Sequence, residues 1–71
     1  MIYQHSLALY AQAGRMAAEA INAGDLDHWR FYRDWAYTAL KLETTEWSRL
    51  GRQTFEAAYR RTRHHNGEVK C

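Results

Sequence analysis

The side chains able to carry chemistry are few, and their spacing argues against most reactions. His64 and His65 are adjacent, so on a helix they point in different directions and cannot close on one ion as an i,i+4 pair does. Ser6 and Ser48 have no histidine spaced to serve as a neighbouring base. Cys71, the single cysteine, is the last residue given, where a nucleophile is not held in place. Asp25 and Asp27 stand two apart at a helix start, and capping accounts for them. The expectation is a non-enzymatic chain with no cofactor and no metal.

Two groups of residues remain. Arg60, Arg61 and Arg63, followed by the two histidines, suggest contact with phosphates. A recognition helix, however, needs its polar side chains on one outward face. Here Arg61 falls near the inner line and Arg63 away from it. A small nucleic-acid-binding regulator using this basic end is therefore the alternative reading. The second group is the stretch from Leu26 to Leu42, which carries Trp29, Phe31, Tyr32, Trp35 and Tyr37. Bases could stack on such rings beside Arg30 and Arg33, but most of the rings fall on apolar helical lines, and core packing is the stronger account.

Those lines define the elements. At roughly 100° per residue, Trp29, Ala36 and Leu40 share one line with Tyr32 and Ala39 beside it, and Phe31, Trp35 and Leu42 form a second. The apolar sector exceeds the roughly 100° stripe of a helix with one neighbour, so this helix needs two. Ahead of it, residues 3–23 read as an alanine-rich helix. Its seam is Tyr3, Leu7, Tyr10, Gly14, Ala17 and Ile21. Gly14 predicts a tryptophan or tyrosine ring lying across it. Asn22-Ala23-Gly24-Asp25 breaks the chain: Gly24 suits the left-handed residue that ends a helix, and Asp25 caps the next. So short a turn makes the two helices antiparallel neighbours.

Thr44-Thr45 could open a third helix, yet no glycine or proline stands there. Trp29, Ala36, Leu40, Trp47, Leu50, Thr54 and Ala58 hold one phase across it. That favours one long helix over about residues 26–63, with Thr44 and Gly51 as places to bend. Trp47, Leu50, Gly51, Thr54, Phe55 and Ala58 form its inner face. Arg30–Asp34, Glu46–Arg49, Arg52–Glu56 and Glu56–Arg60 have the spacing of solvent-side pairs. The helix ends at His64-His65-Asn66-Gly67, leaving residues 66–71 as a frayed tail.

The expected fold is all-α: an antiparallel helical hairpin with a short arm at about 3–23 and a long one at about 26–63. Residues 1–71 form a single small domain. A chain of 71 residues buries only about 60% of its unfolded surface. It has no internal disulfide and no zinc-ligand spacing, so helix packing or oligomerisation must stabilise it. The long arm overhangs the short one and leaves apolar surface bare, which argues for a homodimer. Tyr10, Gly14, Trp29, Tyr32, Leu40, Trp47, Leu50 and Phe55 are assigned to the core or dimer. No secretory signal or membrane span is visible, so a cytoplasmic protein is expected.

The alanine-rich helix, the AGD turn and the aromatic helix, Tyr3 to about Leu42, resemble the layout of small helical bacteriophage proteins that take over host machinery. Anti-CRISPR, anti-quorum-sensing and anti-pilus inhibitors are of this kind. The resemblance implies inhibition by covering a surface of a host protein. The residues agree in offering aromatic and arginine side chains, the types enriched at interface hot spots. The chain is thus expected to be a protein-interaction module, an inhibitor or adaptor. Its contact residues are Arg33, Tyr37, Arg60 and Arg63, with Phe31 and Trp35 given to either the dimer or the partner.

Overall fold

The computed structural model describes residues 5–68, with side chains to residue 63. Three α-helices follow in chain order: α1 (Leu7–Asn22), α2 (Leu26–Lys41) and α3 (Thr45–Glu68), with no strand among the described residues. The fold is all-α, but as three helices and not a two-helix hairpin. Each boundary has a local cause. Ser6 is extended at φ −66° and ψ 147°, and its hydroxyl accepts from the Ala8 N–H at 3.0 Å, so α1 begins at Leu7 and not near Tyr3. Tyr3 lies outside the described residues.

The first turn matches expectation. Gly24 takes φ +78°, the region a side chain disfavours, while its N–H donates to the Ile21 carbonyl at 3.1 Å. The Asp25 N–H donates to the Ala20 carbonyl at 2.8 Å, completing a Schellman stop. Asp25 then caps α2 by accepting from the His28 N–H at 3.2 Å.

The long second helix is overturned at residues 42–44. The N–H groups of Leu42 and Glu43 donate to the Ala39 and Leu40 carbonyls at 3.0 and 3.2 Å, closing α2. Thr44 restarts the chain: its Oγ1 accepts from the Trp47 N–H at 3.3 Å and its carbonyl from the Ser48 N–H at 2.7 Å. The break is held from outside as well. Glu43 turns inward to Tyr10 and His5, and the Trp47 indole donates to the His5 carbonyl at 2.6 Å. The phase kept across the break has another origin: α2 and α3 each present an apolar line to the same helix, α1.

α3 folds back and packs on α1 more extensively than α2 does, while α2 and α3 touch each other least. Tyr10, Ala13, Ala17, Ala36, Ala39, Leu40 and Phe55 form the buried core, with Leu7, Trp29, Tyr32, Trp35 and Tyr59 partly buried around it. Its residues are mostly small, so the helices lie close. At Gly14 the neighbour is α3 backbone and not a ring: a Cβ there would overlap the Phe55 carbonyl and lie 3.2 Å from the Ala58 Cβ. The ring expected over Gly14 is found over Gly51 instead, where Tyr10 carbons stand 3.1 Å from a Cβ position.

Several expectations on α3 change accordingly. Leu50, assigned to the inner face, is 39% exposed, because Gly51, Phe55 and Ala58 are the α3 positions turned to α1. Trp47 is half-buried. The helix continues through Asn66-Gly67 to Glu68, past the expected stop and into the stretch read as a tail. With α3 folded back there is no overhanging arm, so that argument for a second copy lapses. On the second line of α2, Phe31 and Leu42 stay bare at 61% and 60% exposed, while Trp35 between them is half-buried against His5 and Tyr10.

Candidate partner interface

Because α2 and α3 both lean on α1, a groove opens between them. Trp29, Arg33 and Tyr37 line it from α2; Phe55, Glu56, Tyr59 and Arg60 line it from α3, around a volume of about 400 Å³. A two-helix hairpin offers no such space; folding α3 back creates it. Helical spacing places the lining residues: 29, 33 and 37 rise along one side at i,i+4, and 56 and 60 do so along the other. Three expected contact residues, Arg33, Tyr37 and Arg60, meet here although 23 to 27 positions separate Arg60 from the other two.

The groove is tied internally. The Arg33 guanidinium lies over the Trp29 ring, 4.5 Å from its centroid, a cation–π contact. The Trp29 indole N–H donates to the Tyr59 hydroxyl at 3.2 Å, and Tyr59 stacks on Phe55 with centroids 6.2 Å apart. The Tyr37 hydroxyl donates to a Glu56 oxygen at 3.4 Å. Burial, and after it the Glu56 charge, push the Tyr37 phenol above its ordinary value of 10.0, while Arg52 and Arg33 pull the other way.

The four ion pairs expected at helical spacing do not form. Among the described residues Arg33 instead meets Asp34 at 3.4 Å, and no carboxylate pairs with Arg49, Arg52 or Arg60. Glu56 is half-buried and turned to Tyr37, which takes it from the two arginines on its own helix.

The other expected contact residues lie elsewhere. Phe31 and Trp35 line a shallow apolar groove with His5, Asp34, Thr38, Ala39 and Leu42. Arg63 is exposed and is not among the residues lining the α2–α3 groove. Arg61 lines a groove between α1 and α3 with Arg15, Gln12 and three alanines, so Arg60 and Arg61 serve opposite flanks of α3. The side chains of His64 and His65 lie outside those described. Of the core assignments, Tyr10, Gly14, Leu40 and Phe55 are buried, and Trp29, Tyr32 and Trp47 half-buried. The His28 side chain is 66% exposed and held by Asp25, and this bond lowers the Asp25 pKa.

One polar cluster was not visible in the sequence. The Glu43 carboxylate, with no exposed side-chain surface, accepts from the Tyr10 hydroxyl at 2.6 Å and the His5 N–H at 2.8 Å, and lies 3.1 Å from the His5 ring. Its other oxygen is buried with no partner among the described residues. Burial pushes this carboxyl up, but the bonds from Tyr10 and from the His5 backbone and ring outweigh it and hold it below the usual glutamate value. His5 also meets the Trp35 ring edge-on, centroids 5.2 Å apart. The cluster joins the start of α1 to the α2–α3 turn and is a fastening. Glu43 stands 33 and 38 positions from Tyr10 and His5, beyond any local pattern.

Among the described residues no His, Cys, Asp and Glu side chains gather as a metal site, and no helix is long and apolar enough to cross a membrane. Comparison of the chain with protein-family models, curated proteins and solved structures finds no match.

Proposed function

We propose that the chain is a non-enzymatic protein-interaction module, a small inhibitor or adaptor that acts by covering a surface of another protein, and that the α2–α3 groove is its contact site. The observation that carries this reading is the convergence of Arg33, Tyr37 and Arg60 beside Trp29 and Tyr59. Tryptophan, tyrosine and arginine dominate interface hot spots because they combine large contact area with directed polar groups. The groove falls within the volume range of binding clefts. Of its polar groups, Trp29, Arg33, Tyr37, Glu56 and Tyr59 are engaged in contacts within the fold, and Arg60 has no carboxylate partner among the described residues.

Site-directed photo-crosslinking in cells of the natural source tests this. A benzophenone amino acid at Tyr37 is expected to capture a discrete protein, which the same probe at Gln12, on the α1–α3 side, does not. Arg33→Glu with Arg60→Glu should abolish the capture. Unchanged capture after both charge reversals removes the contact assignment. Capture of nucleic acid in place of protein favours the alternative regulator reading.

A further inference from the structure

The α2–α3 groove continues beyond Tyr37 and Glu56, and its continuation is lined by further cations. Past these two residues, Lys41, Arg49 and Arg52 line the adjoining hollows. With Arg33 and Arg60 at the other end, five cations border one channel. Two carboxylates lie along it, and both are engaged: Glu56 accepts from Tyr37, and Glu43 is buried against Tyr10 and His5. The whole chain carries a formal net charge of only +2, so this face is far more positive than the rest. At 1.5 Å per residue, Arg33 to Lys41 spans about 12 Å along α2 and Arg49 to Arg60 about 16 Å along α3.

Resting on the protein-interaction reading, we propose that the occupant of this channel is an acidic polypeptide segment of the partner, with Asp or Glu carboxylates paired to Arg60 and Arg33 at one end and to Arg52, Arg49 and Lys41 at the other. The length admits about four or five extended residues. Arg49, Arg52 and Arg60 have no carboxylate partner among the described residues, while Arg33 is shared with Asp34 and Trp29; planar guanidinium forks match carboxylates in bidentate fashion. A nucleic-acid strand would also meet the charge, but it needs free ring faces for its bases. Here the Trp29 face is covered by Arg33, Tyr59 is stacked on Phe55, and Phe55 is 3% exposed. Tyr37 is the most open of the groove's rings at 36% exposed, and it leans on Phe55, centroids 5.6 Å apart.

The test uses the full chain, isotope-labelled, with three fluorescent probes: an eight-residue Glu/Asp peptide containing one leucine, the same peptide with lysine replacing the acids, and an eight-nucleotide thymidine strand. The acidic peptide is expected to bind and to shift the amide resonances of Tyr37, Arg52, Tyr59 and Arg60, leaving those of Gln12 and Arg15 in place. Arg52→Gln and Arg60→Gln should each weaken it by roughly tenfold, the scale of one charge-assisted pair. The lysine peptide should not bind. No binding of the acidic peptide, tighter binding of the thymidine strand, or shifts confined to Gln12 and Arg15 overturns the proposal. If Tyr37 crosslinking still captures a protein, the interaction reading survives and only the acidic chemistry of its partner is lost.

Discussion

Gly14→Ala sets two physical effects of opposite sign against each other. In a solvent-exposed helix interior, glycine to alanine stabilises by about 1 kcal/mol, because alanine restricts the unfolded backbone and favours the helix. In this fold the added methyl would overlap the Phe55 carbonyl, with the Ala58 Cβ a further 3.2 Å away. The obstacle is backbone, so no side-chain rotation relieves it, and α1 and α3 must separate along their main contact. Overpacking of this kind costs about 2–3 kcal/mol. The net expectation is destabilisation by about 1–2 kcal/mol, a fall in Tm of about 4–16 °C for a domain of this size. Circular dichroism melts of the two proteins, with urea unfolding as a second measure, read the difference. A Gly14→Ala protein that melts higher than the parent would show that α3 does not cross α1 there, and the three-helix packing would fail with it. Gly51→Ala is the internal comparison. Its methyl meets the Leu40 Cδ2 at 2.7 Å and the Tyr10 ring at 3.1 Å, side-chain atoms that can move, so the penalty should be smaller.

Other outcomes follow from named contacts. Tyr10→Phe keeps the ring but removes the hydroxyl that Glu43 accepts at 2.6 Å, and urea unfolding should show a loss of about 1.5–3 kcal/mol; a loss under about 0.5 kcal/mol would mean that the bond is not formed in solution. Glu43 has a folded pKa below its ordinary 4.5, so its contribution is complete above that value and lost as pH falls through the lower folded one. Glu43→Gln should therefore flatten the acid side of the stability profile, and an unchanged slope would rule out Glu43 as its source. Tyr37 has the opposite sign: its raised pKa favours the protonated phenol in the folded state, a contribution present below pH 10.0 and lost as pH rises through the folded value. Ultraviolet titration, read as the difference from a Tyr37→Phe protein, should show this phenol ionising late, and Glu56→Gln should bring it down. A homodimer joined along the bare line of α2 should fall to monomer when Phe31→Ser and Leu42→Ser are combined; sedimentation giving a monomer for the parent at micromolar concentration would remove that dimer.

Local chemistry determined much of this molecule without any tertiary help. The alanine-rich seam of α1, the left-handed Gly24 and the Asp25 cap are near-neighbour effects, and they set the first two helices and their antiparallel turn. The two apolar lines of α2 were equally legible, since helical phase alone separates buried Ala36 and Leu40 from bare Phe31 and Leu42. The second break was not legible from phase. Thr44 supplies a cap, but a continuous helix satisfies the same backbone groups locally, and the choice falls to contacts across some 33 to 42 positions: Glu43 with Tyr10 and His5, and Trp47 with the His5 carbonyl. The groove depends on that choice. Arg33 and Tyr37 could be named from their place at the edge of the aromatic lines, and Arg60 from its charge. Only the return of α3 along α1 puts them side by side, because a pattern in sequence records which face a residue occupies and not which helix will come to lie opposite.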